Sequence, residues 1–574
     1  MYRPLHIRLL LLCLCFASTS AHAEITLRGL DKAQETNVRN ALLLARTPCD
    51  APEWQLRRQT AQAAEQIGGA LEALGFYRST VTVTTDPPKK KCWRKTVEVT
   101  PGPPTTYRTA QVRIEGQARD DPAFQKLLAS QPLLPGAIVH HGRYRRFKRD
   151  LANLATARGY FDARFAEASV TVDETLAGAE AQLTFDSGER YTFGEVSIDS
   201  ELLTERLFNV LQDIEPGSAY DANQIASTHR NFLDSGYFGF VNVSADPEKA
   251  HGQTVPVVID VSPAKRRVYT GGLGFATDVG PRFRLNYRNR RINRRGHALD
   301  SQLLTSPVQS VLGLEYRVPI GDDRRDVLAF STAFEEQDTD TSEFSSFELG
   351  ARRTVARDSG WLNTAFIDLR REDFKVGDQD EVSTLLVPGM SWWRGTDTSS
   401  ARPANAYRLA FDVRGTSTAL GSDTSFIQVE ARARVIKTLT ERTRLLTRLN
   451  LGATAKESRD ELPPSLRFFA GGDSSVRGYG FETIGPLNDD GVVIGGGKLL
   501  SASVEIDWKL SKNWAFAVFA DTGSAFDDDK PDFKTGVGLG IRRLTPVGPL
   551  RLDLAAPLDR DRLVRLHVSI GSDL

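Results

Sequence analysis

The second half of the chain alternates between apolar and polar residues, and this is the period of a β-strand. In 407–414, for example, Tyr407 and Phe411 share one face while charged residues occupy the other. The pattern continues from about Val268 with no helical period between segments. A soluble β-sandwich also alternates, but charged residues recur here on every polar face, as in a water-filled lumen. We therefore predict an all-β antiparallel transmembrane barrel over 268–574, and roughly 19 residues per strand and turn predicts 16 strands.

The first half of the chain repeats one pattern three times. Each repeat contains a helical segment followed by a glycine (Gly75, Gly159 or Gly236), two aromatic residues and an alternating strand. A glycine after an apolar-periodic helix predicts a helix C-cap. Each repeat reads strand–helix–helix–strand–strand and predicts an α+β module. The predicted modules are 24–104, 105–189 and 190–267.

The start of the chain has the pattern of a signal peptide. Arg3 and Arg8 are followed by a short apolar run and then by Ala21-x-Ala23. The run is too short to anchor the chain in a bilayer, and no later stretch approaches the ~20 apolar residues of a membrane helix. We expect 1–23 to be removed and the rest of the chain to be exported.

Export changes the interpretation of the cysteines. Cys13 and Cys15 leave with the signal peptide, so Cys49 and Cys92 remain. Two cysteines in an oxidising compartment are most simply a disulfide. On the chain-entropy account it stabilises the first module by roughly 4 kcal/mol.

Charge and histidine content exclude some kinds of site. The 73 basic and 73 acidic residues balance, and this balance does not favour nucleic acid as a partner. Adjacent His140 and His141 cannot both face one ion on a helix, so we expect no metal. They open the basic run 140–150, which we interpret as a solvated helix face.

A long glycine-rich loop late in the barrel carries the candidate functional residues. We place it at about 453–497, and it contains the sequence RFFAGGDSSVRGYGFETIGP. Strand parity in the next two segments directs Glu505, Phe519 and Asp521 into the lumen. A guanidinium can bond carboxylates through a planar fork. We therefore predict that the loop folds into the barrel and that Arg477 binds Asp521, with Glu505 as a secondary partner.

The first and last barrel strands are predicted to pair weakly. Gly271, Gly272 and Gly274 lie in the first strand and Gly571 in the last, and interior glycines weaken strands. Our hypothesis is that this seam can part sideways and offer an incoming chain an edge and a path to lipid.

These motifs resemble a known superfamily. The three repeats resemble POTRA domains, the periplasmic modules found in front of outer-membrane barrels. Val476-Arg477-Gly478-Tyr479 resembles the VRG-[FY] lid motif of the outer-membrane insertase superfamily that includes BamA and TamA. Phe519-x-Asp521-x-Gly523 resembles its F-x-D-x-G partner motif, and the strand with Glu505 resembles the one between them. Three modules and the paired cysteines fit the TamA-like branch.

The resemblance implies a non-enzymatic outer-membrane factor with no cofactor. Such factors assemble autotransporters and other barrel or surface proteins, so their partners are unfolded client chains and outer-membrane lipid. In this branch a TamB-like protein, anchored in the inner membrane and spanning the periplasm, docks on the modules. The alternative is a two-partner secretion transporter that exports one soluble protein, and a diffusion porin fits less well because it would not need the repeats.

Overall fold

The structure is a computed structural model that describes residues 24–49, 51–89, 92–320, 325–396, 400, 402–456, 462–527, 530–545, 548–559 and 564–570. The predicted signal peptide (1–23) and Gly571 lie outside the described residues. Within them, no helix is both long enough and apolar enough to cross a membrane.

Each of the three modules has the predicted order strand–helix–helix–strand–strand. In each three-stranded sheet the closing strand is central, with the orders β1-β3-β2, β4-β6-β5 and β7-β9-β8. The strands are β1 (Glu24–Arg28), β2 (Thr80–Lys89), β3 (Cys92–Thr100), β4 (Thr106–Glu115), β5 (Arg164–Val172), β6 (Gly178–Asp186), β7 (Thr192–Ile198), β8 (Phe238–Ala245) and β9 (Thr254–Pro263). The helices are α1 (Lys32–Ala41), α2 (Glu53–Glu72), α3 (Pro122–Ala129), α4 (His141–Ala157), α5 (Glu205–Leu211) and α6 (Ala222–Asp234).

The repeated glycines have the conformation expected of helix caps. Gly75, Gly159 and Gly236 follow α2, α4 and α6 with φ of 93°, 81° and 70°. The predicted disulfide is confirmed, because Cys49 and Cys92 are bonded with their Cα atoms 4.7 Å apart.

The second half forms a closed barrel of sixteen strands in the described part of the chain, as predicted. The strands are β10 (Arg267–Ala276), β11 (Gly280–Asn289), β12 (Ala298–Thr305), β13 (Gln309–Pro319), β14 (Asp326–Asp338), β15 (Glu343–Ala356), β16 (Leu362–Val376), β17 (Gln379–Gly395), β18 (Ala406–Thr416), β19 (Phe426–Thr438), β20 (Thr443–Lys456), β21 (Lys498–Lys509), β22 (Trp514–Phe526), β23 (Lys534–Thr545), β24 (Gly548–Pro557) and β25 (Arg565–Ile570).

The chain forms two compact units. The first holds modules one and two with 214–226 and 244–258, and the second holds the barrel with 198–213 and 227–243. In the barrel unit, exposed apolar side chains such as Leu349 and Ile367 alternate with charged lumenal residues. Their alternation follows the pleat of the strands.

The long loop lies between β20 and β21, and we call its described residues, 462–497, the lid. The predicted start at 453 was too early, because β20 continues through Lys456. Pairing with β21 extends from Thr443–Trp508 to Ala453–Lys498, so the first predicted lid residues belong to the barrel wall.

Candidate functional site: the lid and the barrel seam

The lid packs inside the barrel. Its apolar residues Val476 and Tyr479 are buried and form a small cluster with Ala470 and Ile484. This cluster explains the aromatic and aliphatic residues of a glycine-rich loop, since they give it a core of its own. It holds the turn that carries Arg477 against the lumenal wall.

Arg477 binds Asp521 of β22 through two parallel hydrogen bonds. Nε donates to Oδ2 at 2.7 Å and Nη2 donates to Oδ1 at 3.0 Å. The backbone N–H of Arg477 also donates to Oδ2 at 3.1 Å. Ser503 of β21 donates to Oδ1 at 2.6 Å. The carboxylate of Asp521 is thus surrounded by donors in a fully buried position.

A second layer of charge surrounds this pair. Arg477 Nη1 donates to Glu505 at 2.8 Å and to Asp553 of β24 at 3.0 Å. Arg542 of β23 donates to Glu505 at 2.9 Å and also bonds Asp553. The network therefore joins the lid to four consecutive strands, β21 to β24.

Burial makes this network energetically consequential. The Arg477 side chain is 8% exposed and that of Asp521 is 0% exposed. The guanidinium carbon of Arg477 also lies 3.4 Å from the centroid of the Phe519 ring, a cation–π contact. Removing one member of a buried, hydrogen-bonded ion pair leaves a charge without compensation and costs about 3–5 kcal/mol.

Three glycines allow the lid and the wall to come into close contact. Gly478 has a φ of 98°, a region that side chains rarely adopt. A Cβ on Gly536 of β23 would lie 1.9 Å from the carbonyl oxygen of Arg477. Val476 packs beside Gly523 of β22, where a Cβ would lie 2.9 Å from its methyl carbon. The motif glycines therefore sit where lid and wall touch.

The structure describes the seam between the first and last strands as far as Ile570. Among the described residues, β10 pairs with β25 only at Ala276 and Ser569. Thr277 adds two hydrogen bonds: its N–H donates to the carbonyl of Val568 at 3.1 Å, and its hydroxyl accepts from the N–H of Val568 at 3.2 Å. In contrast, β10 pairs with β11 along its whole length. Gly271 and Gly272 are exposed and have no neighbouring atom within 4 Å of an added Cβ.

Side chains of the lid and of the first turn meet the last strand at His567. The N–H of Gly478 donates to Nε2 of His567 at 2.9 Å, so the ring proton lies on Nδ1. Nδ1 contacts Asp473 of the lid, and Asp278 of the β10–β11 turn accepts from the N–H of Asp473. One carboxylate oxygen of Asp278 has no hydrogen-bond partner among the described residues.

The three side chains Asp278, Asp473 and His567 hold one ligand atom each within 4.8 Å of the others. Such a set could hold a cation, but Nε2 is occupied by the N–H of Gly478 and Nδ1 by Asp473. A metal on Nδ1 would require that proton to leave. The hydrogen bonds account for the geometry without an ion.

The lid also carries a buried acid outside the network. Glu482 accepts a hydrogen bond from Gln337 at 3.3 Å, and its φ is 58°. Burial raises the pKa of Glu482 to about 7.

Sequence reasoning missed Asp553, Arg542 and His567. Strand parity could have found two of them. Leu552 and Leu554 are exposed on either side of Asp553, and Leu566 is exposed next to buried His567, so Asp553 and His567 lie on the lumenal face. The same alternation that indicated Glu505 and Asp521 would have indicated both residues had it been extended to β24 and β25.

Fold and site together define an outer-membrane barrel protein with POTRA-type modules in the periplasm. Residues 294–573 match the Omp85 superfamily domain. Residues 24–101 match the POTRA domain described as TamA domain 1. The first of these matches covers most of the barrel half, 268–574.

Similar proteins extend this finding. The chain is 29% identical over 151 residues to the outer membrane protein assembly factor BamA of Nitratidesulfovibrio vulgaris, covering 25% of this chain and 19% of that protein. It is similar in fold to BamA from Haemophilus ducreyi lacking POTRA domains 1–3, with a TM-score of 0.66, 15% identity, and coverage of 81% and 99%. CdiB from Acinetobacter baumannii gives a TM-score of 0.46 at 13% identity, with coverage of 82% and 90%.

Proposed function

We propose that this chain is a TamA-like outer-membrane assembly factor that helps autotransporters and other barrel or surface proteins to insert and fold. Client strands are captured on the periplasmic modules and then enter the bilayer through the opened seam. Folding of the client supplies the free energy, and the chain itself catalyses no covalent reaction.

The observation that carries the proposal is the contrast at β10. Among the described residues, which end at Ile570 on β25, this strand pairs with β11 along its whole length and with β25 at one position. Unpaired N–H and C=O groups on a strand edge recruit an extended chain by strand addition. A client strand can therefore pair with β10 while few native hydrogen bonds are lost.

The periplasmic modules also offer strand edges to which a client can add. In the first and second sheets the edges are β1 and β2, and β4 and β5. Strand β5 is largely exposed along its length. An extended client can add to such an edge through its backbone, independent of its sequence.

Two parts of the proposal rest on resemblance. The match of 24–101 to TamA domain 1 supports a TamB-like partner on the modules. The lid motif supports a role for Val476, Arg477, Gly478 and Tyr479 in holding the barrel in its client-free form. In that role the N–H of Gly478 and the side chain of Asp473, both bonded to His567, join the lid to the last strand beside the seam.

The decisive experiment closes the seam covalently. Cysteines replace Ala276 and Ser569, the one paired position, and autotransporter insertion is followed in vesicles under oxidising conditions. We expect insertion to stop and to recover on reduction. A cysteine pair at Ser331 and Gly350, which are partners inside the continuous wall, is the control and should leave insertion intact.

Full insertion with the seam closed would contradict lateral opening. Insertion that is normal without this chain, together with loss of one secreted soluble protein, would instead identify a two-partner secretion transporter.

A further inference from the structure

The periplasmic end of the first hairpin collects positive charge that the lid and seam do not use. Two basic runs, 265–267 and 288–295, come together here. Arg267 pairs with Asn289 across β10 and β11, and the N–H of Arg290 donates to the carbonyl of Arg266 at 2.8 Å. We call the following seven residues the basic rim: Lys265, Arg266, Arg267, Arg290, Arg291, Arg294 and Arg295.

The basic rim has no acidic partner within the part of the chain that the structure describes. Arg266 donates to the carbonyl of Ile292 at 3.0 Å, Arg291 to that of Leu202 at 2.8 Å. A carbonyl satisfies a donor but leaves its positive charge uncompensated. Arg288, next to the rim, shows the contrast because it pairs with Asp300 at 2.7 Å. Because the charge of the whole chain is balanced, the rim is a local excess of positive charge.

Two groups of the β11–β12 turn have lowered pKa values. Burial, and after it the neighbouring Arg266, lowers the pKa of Arg291 below its ordinary value. Burial, and after it Arg295, likewise lowers the pKa of His297. The contribution of the neighbouring cations has the direction expected of a site that favours an anion.

Strand geometry places the rim at the depth of lipid headgroups. Tyr269 and Tyr287 are paired neighbours on β10 and β11, with ring centroids 5.1 Å apart, and Tyr269 is 66% exposed. They share the outward face with Leu273 and Phe283, which are exposed. Tyrosines at the edge of an apolar band mark the membrane interface. Arg267 lies two residues further toward the periplasm, or about 7 Å along the strand.

We propose that the basic rim binds the phosphate of an anionic phospholipid in the periplasmic leaflet, beside the seam. Guanidinium groups bind phosphate oxygens through paired hydrogen bonds. The acyl chains lie against Leu273 and Phe283, below the tyrosine pair. This lipid site is independent of the proposed client assembly.

The test measures lipid binding to the purified full-length chain in detergent by native mass spectrometry, with dioleoyl phosphatidylglycerol and dioleoyl phosphatidylcholine as probes. We expect tighter binding of phosphatidylglycerol. The variant Arg267→Gln, Arg294→Gln, Arg295→Gln removes three exposed cations that bond no other side chain among the described residues. Affinity should fall about fivefold per cation, or about a hundredfold for three.

The matched control is Arg143→Gln, Arg145→Gln, Arg149→Gln, which removes three exposed cations from α4. It should keep the preference for phosphatidylglycerol. Heat-modifiable gel mobility verifies that each variant retains a folded barrel. Equal binding of both lipids, unchanged affinity of the rim variant or an equal loss in the control would overturn the proposal. Displacement by excess inorganic phosphate would also overturn it, since it would indicate an ion site.

Discussion

Two junctions of the same barrel are built in opposite ways. Where the lid meets β21 to β24, Arg477 makes side-chain hydrogen bonds to three carboxylates, all buried. Where β10 meets β25, the described residues contribute one backbone pair and two hydrogen bonds between Thr277 and Val568. Within the described residues, the lid is therefore held to the wall by buried ion pairs, whereas the seam is held by a few hydrogen bonds.

Glycine has a different role at each junction. Gly536 gives the lid room, because any Cβ there would overlap the carbonyl of Arg477. At Gly271 and Gly272, no atom of the described residues lies within 4 Å of an added Cβ. Glycine thus permits a close backbone contact at the lid, whereas at the first strand it adds no side chain to the sheet.

The largest effect should come from Arg477→Ala. It leaves Asp521 buried without its cation, while Glu505 keeps Arg542, and the expected cost is about 3–5 kcal/mol. The lid should leave the wall, and limited proteolysis within the lid of the membrane-inserted protein measures this. Arg432→Ala, which breaks an exposed lumenal pair with Asp412, should cost under about 1 kcal/mol and leave the lid protected. Equal protection of both variants would show that the network does not hold the lid.

Gly536→Ala should displace the lid by steric overlap alone, without changing any charge. Overpacking costs about 1–3 kcal/mol, and the contact here is with rigid backbone, so we expect the upper end. Limited proteolysis within the lid measures this displacement. Gly313→Ala, on β13 with no atom near the added Cβ, is the control and should behave like the parent. A fully protected lid in Gly536→Ala would mean that lid and wall are not in contact.

His567→Phe should weaken the seam more than the lid. The change leaves the Gly478 N–H and a buried carboxylate without a partner, at a cost of about 1–2 kcal/mol. With cysteines at Ala276 and Ser569, the yield of the cross-strand disulfide should fall. His297→Phe, at a histidine bonded to Tyr316 instead, is the control and should not alter the yield. If the yield were unchanged in His567→Phe, the seam would be held by its backbone hydrogen bonds and not by His567.

The smallest effect should be a pH dependence from Glu482. Its pKa is about 7 in the packed lid, compared with an ordinary value of 4.5. The packed state therefore favours the proton, so packing of the lid weakens as pH rises from about 4.5 to 7 and changes little above that. Proteolysis across this range measures it, and Glu482→Gln should abolish the dependence. If proteolysis of that variant still depended on pH, another titratable group would be responsible.

Strand period alone was enough to assign the architecture and much of the site. Alternation fixes which side chains share a face, so the barrel, its sixteen strands and the inward direction of Glu505, Phe519 and Asp521 followed from local pattern. The module order and the helix-capping glycines also followed from local rules, because a left-handed cap depends only on its own backbone.

Tertiary structure decided which inward residues meet. Asp553 reaches Arg477, and Arg542 reaches Glu505, only because closure of the barrel sets strand tilt and stagger, which no single strand encodes. His567 meets Gly478 and Asp473 although 89 and 94 positions separate them. The pairing of the first and last strands likewise depends on how they are offset when the sheet closes. The face on which a side chain lies depends only on its own strand, whereas its partners across the lumen depend on closure of the barrel.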